Sequence, residues 1–277
     1  MSRIAARFAA LHAAGRGALI PFLEAGDPDL ETSAALLRGM PAAGADLIEI
    51  GCPFSDPMAD GPTIQLAAQR ALKAGASMIH TLAMVRGFRA DDTETPIVLM
   101  GYLNPIVAYG PERFCVDAAA AGVDGLIVVD LPPEETDLLA PFAARAGLDI
   151  IRLIAPTTDD ARLPEVLAGS SGFVYYVSIT GVTGTRTASS DELAHAIPRI
   201  RRVTDLPVAI GFGVRSPEQA AGAVRAADAA VVASALIDTL AKNLDSQGRP
   251  GPGAVAAVLA QVKSLADGVR LAREEKQ

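Results

Sequence analysis

The stretch EIGCPFSDPMADGPT, residues 49–63, places acids where a chain seldom puts them. Leu47, Ile48 and Ile50 are apolar, and Glu49 stands among them. A carboxylate held against apolar walls loses hydration and its pKa rises, so it can give and take a proton near neutral pH. The alternative is a buried ion pair, for which Arg152 is the one arginine at a comparable strand end. After Glu49 comes a loop with Asp56 and Asp60 interleaved among Pro53, Pro57 and Pro62. Prolines restrict the loop, so an acid on it is placed with little further loss of entropy. Asp60 has two readings: a cap for the helix that DGPTIQ opens, or a charge offered to a ligand. Asp56 reads more simply as loop surface. Cys52 could be a nucleophile, but no histidine stands at a strand end to activate it, and it reads as a packing residue.

Such residues need a frame, and the chain supplies one by alternation. Eight apolar runs recur: ALIPFLEAG, ADLIEIG, TPIVLMGY, DGLIVVDLPP, LDIIRLIAPTT, GFVYYVSITG, LPVAIGFG and AAVVASALI. Each is followed by a segment of helical pattern, such as LETSAALLRGMPAAG after the first or PERFCVDAAAAG after the third. The runs are continuous and not alternating, so both faces are buried, as in a parallel sheet covered by helices. Eight units in 277 residues predict an α/β fold with a single closed (β/α)8 barrel domain over 1–277. An open doubly wound sheet is the alternative, but the first turn, LEAGDPDL, lacks the glycine pattern of a dinucleotide site. Ile4, Phe8 and Leu11 at helical spacing predict an extra N-terminal helix. The acid-free, arginine-bearing start also looks like a transit peptide, but it lacks a cleavable spacer. NLDSQGRPGPG, 243–253, reads as a loose connector before a last helix.

In this architecture the active site lies at the C-terminal ends of the strands. There stand Glu49, the Asp56–Asp60 loop, Tyr102, Asn104, Asp130, the loop SITGVTGTRTASS, the turn GFG and Ser234. Gly181, Gly184, Gly211 and Gly213 leave backbone N–H groups unobstructed, and Ser234 opens a short helix. Singly these glycines are turns; together at one barrel end they make a phosphate site. The Gly/Thr/Ser-rich loop has the length of a lid. A net charge of -8 makes nucleic acid a poor partner, and phosphate must be held by local backbone donors. Two distant cysteines, Cys52 and Cys115, and three scattered histidines support neither a metal site nor a disulfide framework, and the composition reads as reduced and cytoplasmic. No apolar run is long enough for a bilayer.

These residues carry a resemblance. ADLIEIGCPFSDPMADGPTIQ, with PFLEAGDP, GYLNPI, VVDLPPEE, GVTG and GFGV in order along the whole chain, strongly resembles the tryptophan synthase α-subunit family. The resemblance implies a carbon–carbon lyase that cleaves indole-3-glycerol phosphate by a retro-aldol reaction to indole and glyceraldehyde 3-phosphate. It implies Glu49 as acid/base and Asp60 as the acceptor of the indole N–H. Phe22, Met100, Tyr102, Ile127, Tyr175 and Phe212 would bind the substrate. Ile127 reads equally as ordinary core. Thr183 would ride on the lid. Gly184, Gly213, Ala233 and Ser234 would hold phosphate. Ala233 replaces the glycine of many members, which is harmless where φ is negative. The resemblance further implies no cofactor on this chain, and a pyridoxal-phosphate β subunit as partner in an α2β2 heterotetramer, with Asp56 and Pro57 at the interface. Two other classes stay open: a partner-activating protein with weak catalysis, and another phosphate-binding barrel. The latter calls for metal ligands or a strand-end lysine, and Lys73, Lys242, Lys263 and Lys276 stand at none.

Overall fold

The structure is a computed structural model that describes residues 2–177, 190–211 and 213–274. Nine strand segments form one sheet: β1 (Ala18–Glu24), β2 (Ile48–Gly51), β3 (Ile97–Gly101), β4 (Gly125–Val128), β5 (Asp149–Ile150), β6 (Arg152–Ile154), β7 (Val174–Val177), β8 (Val208–Gly211) and β9 (Ala229–Val232). Their order is β5-β4-β3-β2-β1-β9-β8-β7-β6, and every named pairing is parallel. The two edges of this order, β5 and β6, are consecutive pieces of one strand. Ile151 joins them and donates its N–H to the Leu126 carbonyl at 3.0 Å. The chain pairs with β4 before this residue and with β7 after it, so the sheet closes on itself. The fifth expected run is therefore one barrel strand read as two segments.

Alternation along the strands sorts the side chains. Ile20, Val98, Ile127, Ile151, Tyr175, Ala209 and Val231 point into the barrel and form one cluster. Leu23, Ile50, Leu99 and Leu126 point the other way and meet the helices. The helix Arg3–Ala13 seats Ile4, Phe8 and Leu11 against the interior cluster and closes its N-terminal end. Ser2 caps this helix by accepting the Ala5 N–H at 3.3 Å.

At that same end, aspartates placed just ahead of strands tie the turns down. Asp46 accepts the Leu19 N–H at 2.9 Å, Asp124 the Ile97 N–H at 2.8 Å, and Asp228 the Val208 N–H at 2.8 Å. Each is also paired with arginine: Asp46 with Arg16, Asp124 with Arg3 and Arg89, and Asp228 with Arg201. Two helices beyond those expected stand between strands. Met78–Arg89 buries Leu82, Val85 and Phe88, and Leu103–Tyr109 buries Ile106. The connector at 243–253 is a built turn, with an antiparallel bridge between Leu244 and Pro250 and Asp245 accepting the N–H groups of Gln247 and Arg249. Among the described residues no helix is long and apolar enough to cross a membrane.

Candidate active site

Register brings the expected site residues together. In β2, Glu49 lies beside Phe22 of β1 and Val98 of β3. Neighbours in a parallel ladder project to the same face, so all three point into the barrel. Glu49 is 1 % exposed, and its Oε2 has no hydrogen-bond partner. Burial first, and then the Asp60 charge, push its carboxyl up to about 8. Arg152 does not pair with it. Strand alternation sends Arg152 outward, where its guanidinium donates to the Leu131 carbonyl at 3.0 Å and to Thr136 Oγ1. The ion-pair reading of Glu49 is thereby removed.

Asp60 is not a helix cap. The helix Pro62–Lys73 starts from Gly61, without a side-chain cap bond. The Asp60 carboxylate instead turns inward, where Tyr102 Oη donates to it at 3.0 Å, while the Tyr102 oxygen accepts the Ala59 N–H at 3.0 Å. The tyrosine thus clamps the loop's backbone and its acid with one hydroxyl. Phe54 packs on the Tyr102 ring at 5.3 Å between centroids. Burial raises the Asp60 carboxyl to about 6 against the lowering effect of the Tyr102 hydrogen bond. At neutral pH one acid of the pair is protonated and the other ionised.

Around these acids lie Phe22, Met100 and Tyr102, which line a common cavity with Asp60. Phe22 and Met100 also share a small apolar cluster with Ala233 and Ile237. Ile127 and Tyr175 belong to the interior cluster beside Met100. The Glu49 charge helps burial raise the Tyr175 hydroxyl far above its usual range, which sets that ring next to the strand acid. Gly211 has a steric role: a Cβ there would stand 2.1 Å from Tyr175 Oη, so its bareness makes room for the tyrosine. Cys52 is buried at the end of β2 and burial pushes its thiol up, so it is a packing residue rather than an activated nucleophile.

Of the residues expected to hold phosphate, Ala233 has φ -116°, a conformation open to any residue, and Ser234 begins the helix Ser234–Lys242, which has no side-chain cap. Its first N–H groups are therefore not taken by a capping side chain. Gly213 has φ +71°. Thr183, Gly184 and Phe212 lie outside the described residues. Asp56 is exposed on the loop and Pro57 half-buried, beside Met58 at 77 % exposure. Among the described residues no group of three or more His, Cys, Asp or Glu could hold a metal ion. Sequence reasoning passed over Glu24, buried at the end of β1 beside this cavity; an acid closing an apolar run was the available signal.

Comparison with known proteins agrees with this fold. A family model described as tryptophan synthase alpha chain matches residues 8–269. The tryptophan synthase alpha chain of Granulibacter bethesdensis is 72 % identical over 273 residues, covering 99 % of this chain and 98 % of that one. That of Gluconacetobacter diazotrophicus is also 72 % identical, with 99 % and 100 % covered. The crystal structure of tryptophan synthase subunit alpha from Legionella pneumophila superposes with a TM-score of 0.89 at 38 % identity, covering 98 % and 99 %. A chain of Mycobacterium tuberculosis tryptophan synthase gives 0.86 at 38 %, covering 97 % and 98 %. An acid-bearing closed barrel with these sequence and structural relatives belongs to the tryptophan synthase alpha chain family.

Proposed function

We propose that Glu49 and Asp60 divide between them the lyase reaction of this family. The reaction cleaves indole-3-glycerol phosphate to indole and glyceraldehyde 3-phosphate, and the indole goes to the family's β subunit, which holds the pyridoxal phosphate; the alpha chain carries no cofactor. The observation that carries the assignment is the Glu49 carboxyl: buried, without a cationic partner among the described residues, and with Asp60 as the charge acting on it.

Protonated Glu49 gives its proton to C3 of the indole ring, and the ring nitrogen takes on positive charge. Asp60, ionised and held by Tyr102, accepts the ring N–H and stabilises that charge. Glu49, now a carboxylate, removes the proton of the side-chain hydroxyl on the carbon attached to C3. The bond between that carbon and C3 breaks, its electron pair returns to the ring, and the aldehyde forms. Glu49 ends protonated, as it began. Phe22, Met100, Ile127, Tyr175 and Phe212 make the slot for the flat ring, with Tyr102 at its Asp60 end. Gly184, Gly213, Ala233 and Ser234 receive the phosphate, and Thr183 completes the site from the lid. Asp56 and Pro57 face the β subunit in an α2β2 assembly, with the exposed Met58 beside them. The span 1–277 works as one domain, in the cytoplasm.

The test is indole release by the wild type, Glu49→Gln and Asp60→Asn, each alone and with a cognate β subunit. The rate should fall about 10³-fold for Glu49→Gln and about 10²-fold for Asp60→Asn. Retained activity in Glu49→Gln would make the buried acid structural and remove this mechanism.

A further inference from the structure

Glu24 is a further buried carboxyl at this end of the barrel. It closes β1 two residues beyond Phe22 and therefore shares its inward face. It is 5 % exposed and lies opposite Gly51 in the β1–β2 register. The carboxyl leans over that bare backbone: a Cβ at Gly51 would stand 2.3 Å from Glu24 Oε2 and 2.5 Å from Phe22 Cζ. The cavity beside it is also lined by Asp60, Tyr102 and Phe54.

The charged and titratable groups facing Glu24 are few. Among the described residues, Asp60 comes from the loop after β2, Asp27 from the turn after β1, Arg70 from the helix Pro62–Lys73, the Cys52 thiol from the end of β2 and the Tyr102 hydroxyl from the end of β3. Arg70 is held bidentately by Asp27, at 2.7 and 2.8 Å, so much of its charge is already answered. The helices Leu30–Ala43, Ser234–Lys242 and Ala254–Glu274 offer this region only apolar groups: Leu36, Met40, Leu236, Ile237, Leu240 and Val258.

We infer that Glu24 is a positioning residue of the lyase: its carboxyl group, seated on Gly51 in the cavity it shares with Asp60, is a second polar neighbour, beside Tyr102, that keeps Asp60 ionised. Two carboxyls in one cavity cannot both ionise readily, so one takes the proton and the other keeps the charge. Burial, then Asp60, then Asp27 push the Glu24 carboxyl well above its ordinary range, with Arg70 pulling the other way. Glu24 thus holds the proton, and its dipole supports the Asp60 anion in a cavity with little water to do so. The inference rests on the reading of Asp60 as the carboxylate that meets the indole N–H.

The experiment is the pH profile of kcat/KM for indole-3-glycerol phosphate, measured on the complex with the β subunit for wild type, Glu24→Gln, Glu24→Leu and Asp60→Asn. Gln keeps a neutral polar group, and its acid limb should coincide with that of wild type. Leu removes the group, and the limb should move up by about 0.5 unit or more, with activity near pH 6 falling about threefold relative to that at pH 7.5. Glu24→Met replaces Leu should that variant not fold. A purely structural role lowers kcat at every pH and leaves the limb where it was; an unmoved limb in Leu or Met overturns the inference. Asp60→Asn separates the two failures. If it stays active, the reading of Asp60 is wrong; if it collapses while the Leu limb is unmoved, only Glu24's role is wrong.

Discussion

The turn-fastening acids at the N-terminal end of the barrel and the two candidate site acids at its C-terminal end are treated in opposite ways. At the N-terminal end, Asp46, Asp124 and Asp228 each meet an arginine and a backbone N–H. An open cleft of about 980 Å³ lies there beneath the helix Arg3–Ala13, and its rim carries paired residues such as Arg16, Asp228 and Arg201. At the C-terminal end, Glu49 has a buried oxygen with no partner, and Asp60 is met by a neutral tyrosine. A satisfied carboxylate fastens a turn and has nothing left to offer a ligand. An unsatisfied one weakens the fold and is ready for a proton or a substrate donor. The size of a cavity does not find the site here; the state of its acids does.

The sharpest way to break this contrast is at the fastened end. Asp124→Ala would leave Arg3, Arg89 and the Ile97 N–H without their shared acceptor. Urea unfolding should show a loss of about 4 kcal/mol, while indole release per folded molecule stays within about twofold of wild type. A small loss of stability with a large loss of activity would reverse the comparison.

At the open end the expectation has the other sign. Glu49 holds its proton in the folded chain up to about pH 8, against 4.5 as its ordinary value. Its stabilising contribution is fully present below that ordinary value and is lost as pH rises through the folded one. Gln does not titrate. Glu49→Gln should therefore match wild type near pH 4 and exceed it by about 5 kcal/mol at pH 9, while losing its activity. Equal stability at both pH values would mean that Glu49 has a partner after all.

Tyr102→Phe gives the smallest effect and the finest test. It removes the hydroxyl that donates to Asp60 and accepts from Ala59. A loss of about 1 kcal/mol in transition-state binding, roughly fivefold in kcat/KM, should come with an acid limb that moves above about 6, because that bond holds the Asp60 carboxyl down. An unchanged limb would detach the tyrosine from the acid.

Much of this arrangement was legible along the chain. Eight apolar runs with helical segments between them point to a parallel sheet covered by helices on both faces, and their number points to a closed barrel. Glu49 stood out as an acid inside such a run, and Asp60 as an acid on a loop stiffened by proline. Arg152 could have been dismissed on parity: counted from Ile151, which points inward, it must point out. The helix Met78–Arg89 was missed although Leu82, Val85 and Phe88 follow helical spacing after Ser77, because it adds a second helix to one barrel unit. Leu103–Tyr109 is too short for periodicity to reveal. Gly211 looked like a turn residue, and only the ring of Tyr175 packed against it explains it.

Sequence alone determined the order of the elements, the inward faces of the strands and the two acids most exposed to suspicion, since these depend on period and local chemistry. Tertiary structure decided which acids are paired. Asp124 and Glu49 are both carboxylates beside apolar strands, and the chain around each looks alike. One meets Arg3 from 121 residues away, while the other meets no arginine among the described residues. Pairing is a matter of which distant side chains the closed barrel brings within about 3 Å, and through that distance dependence it sets each acid's charge and use.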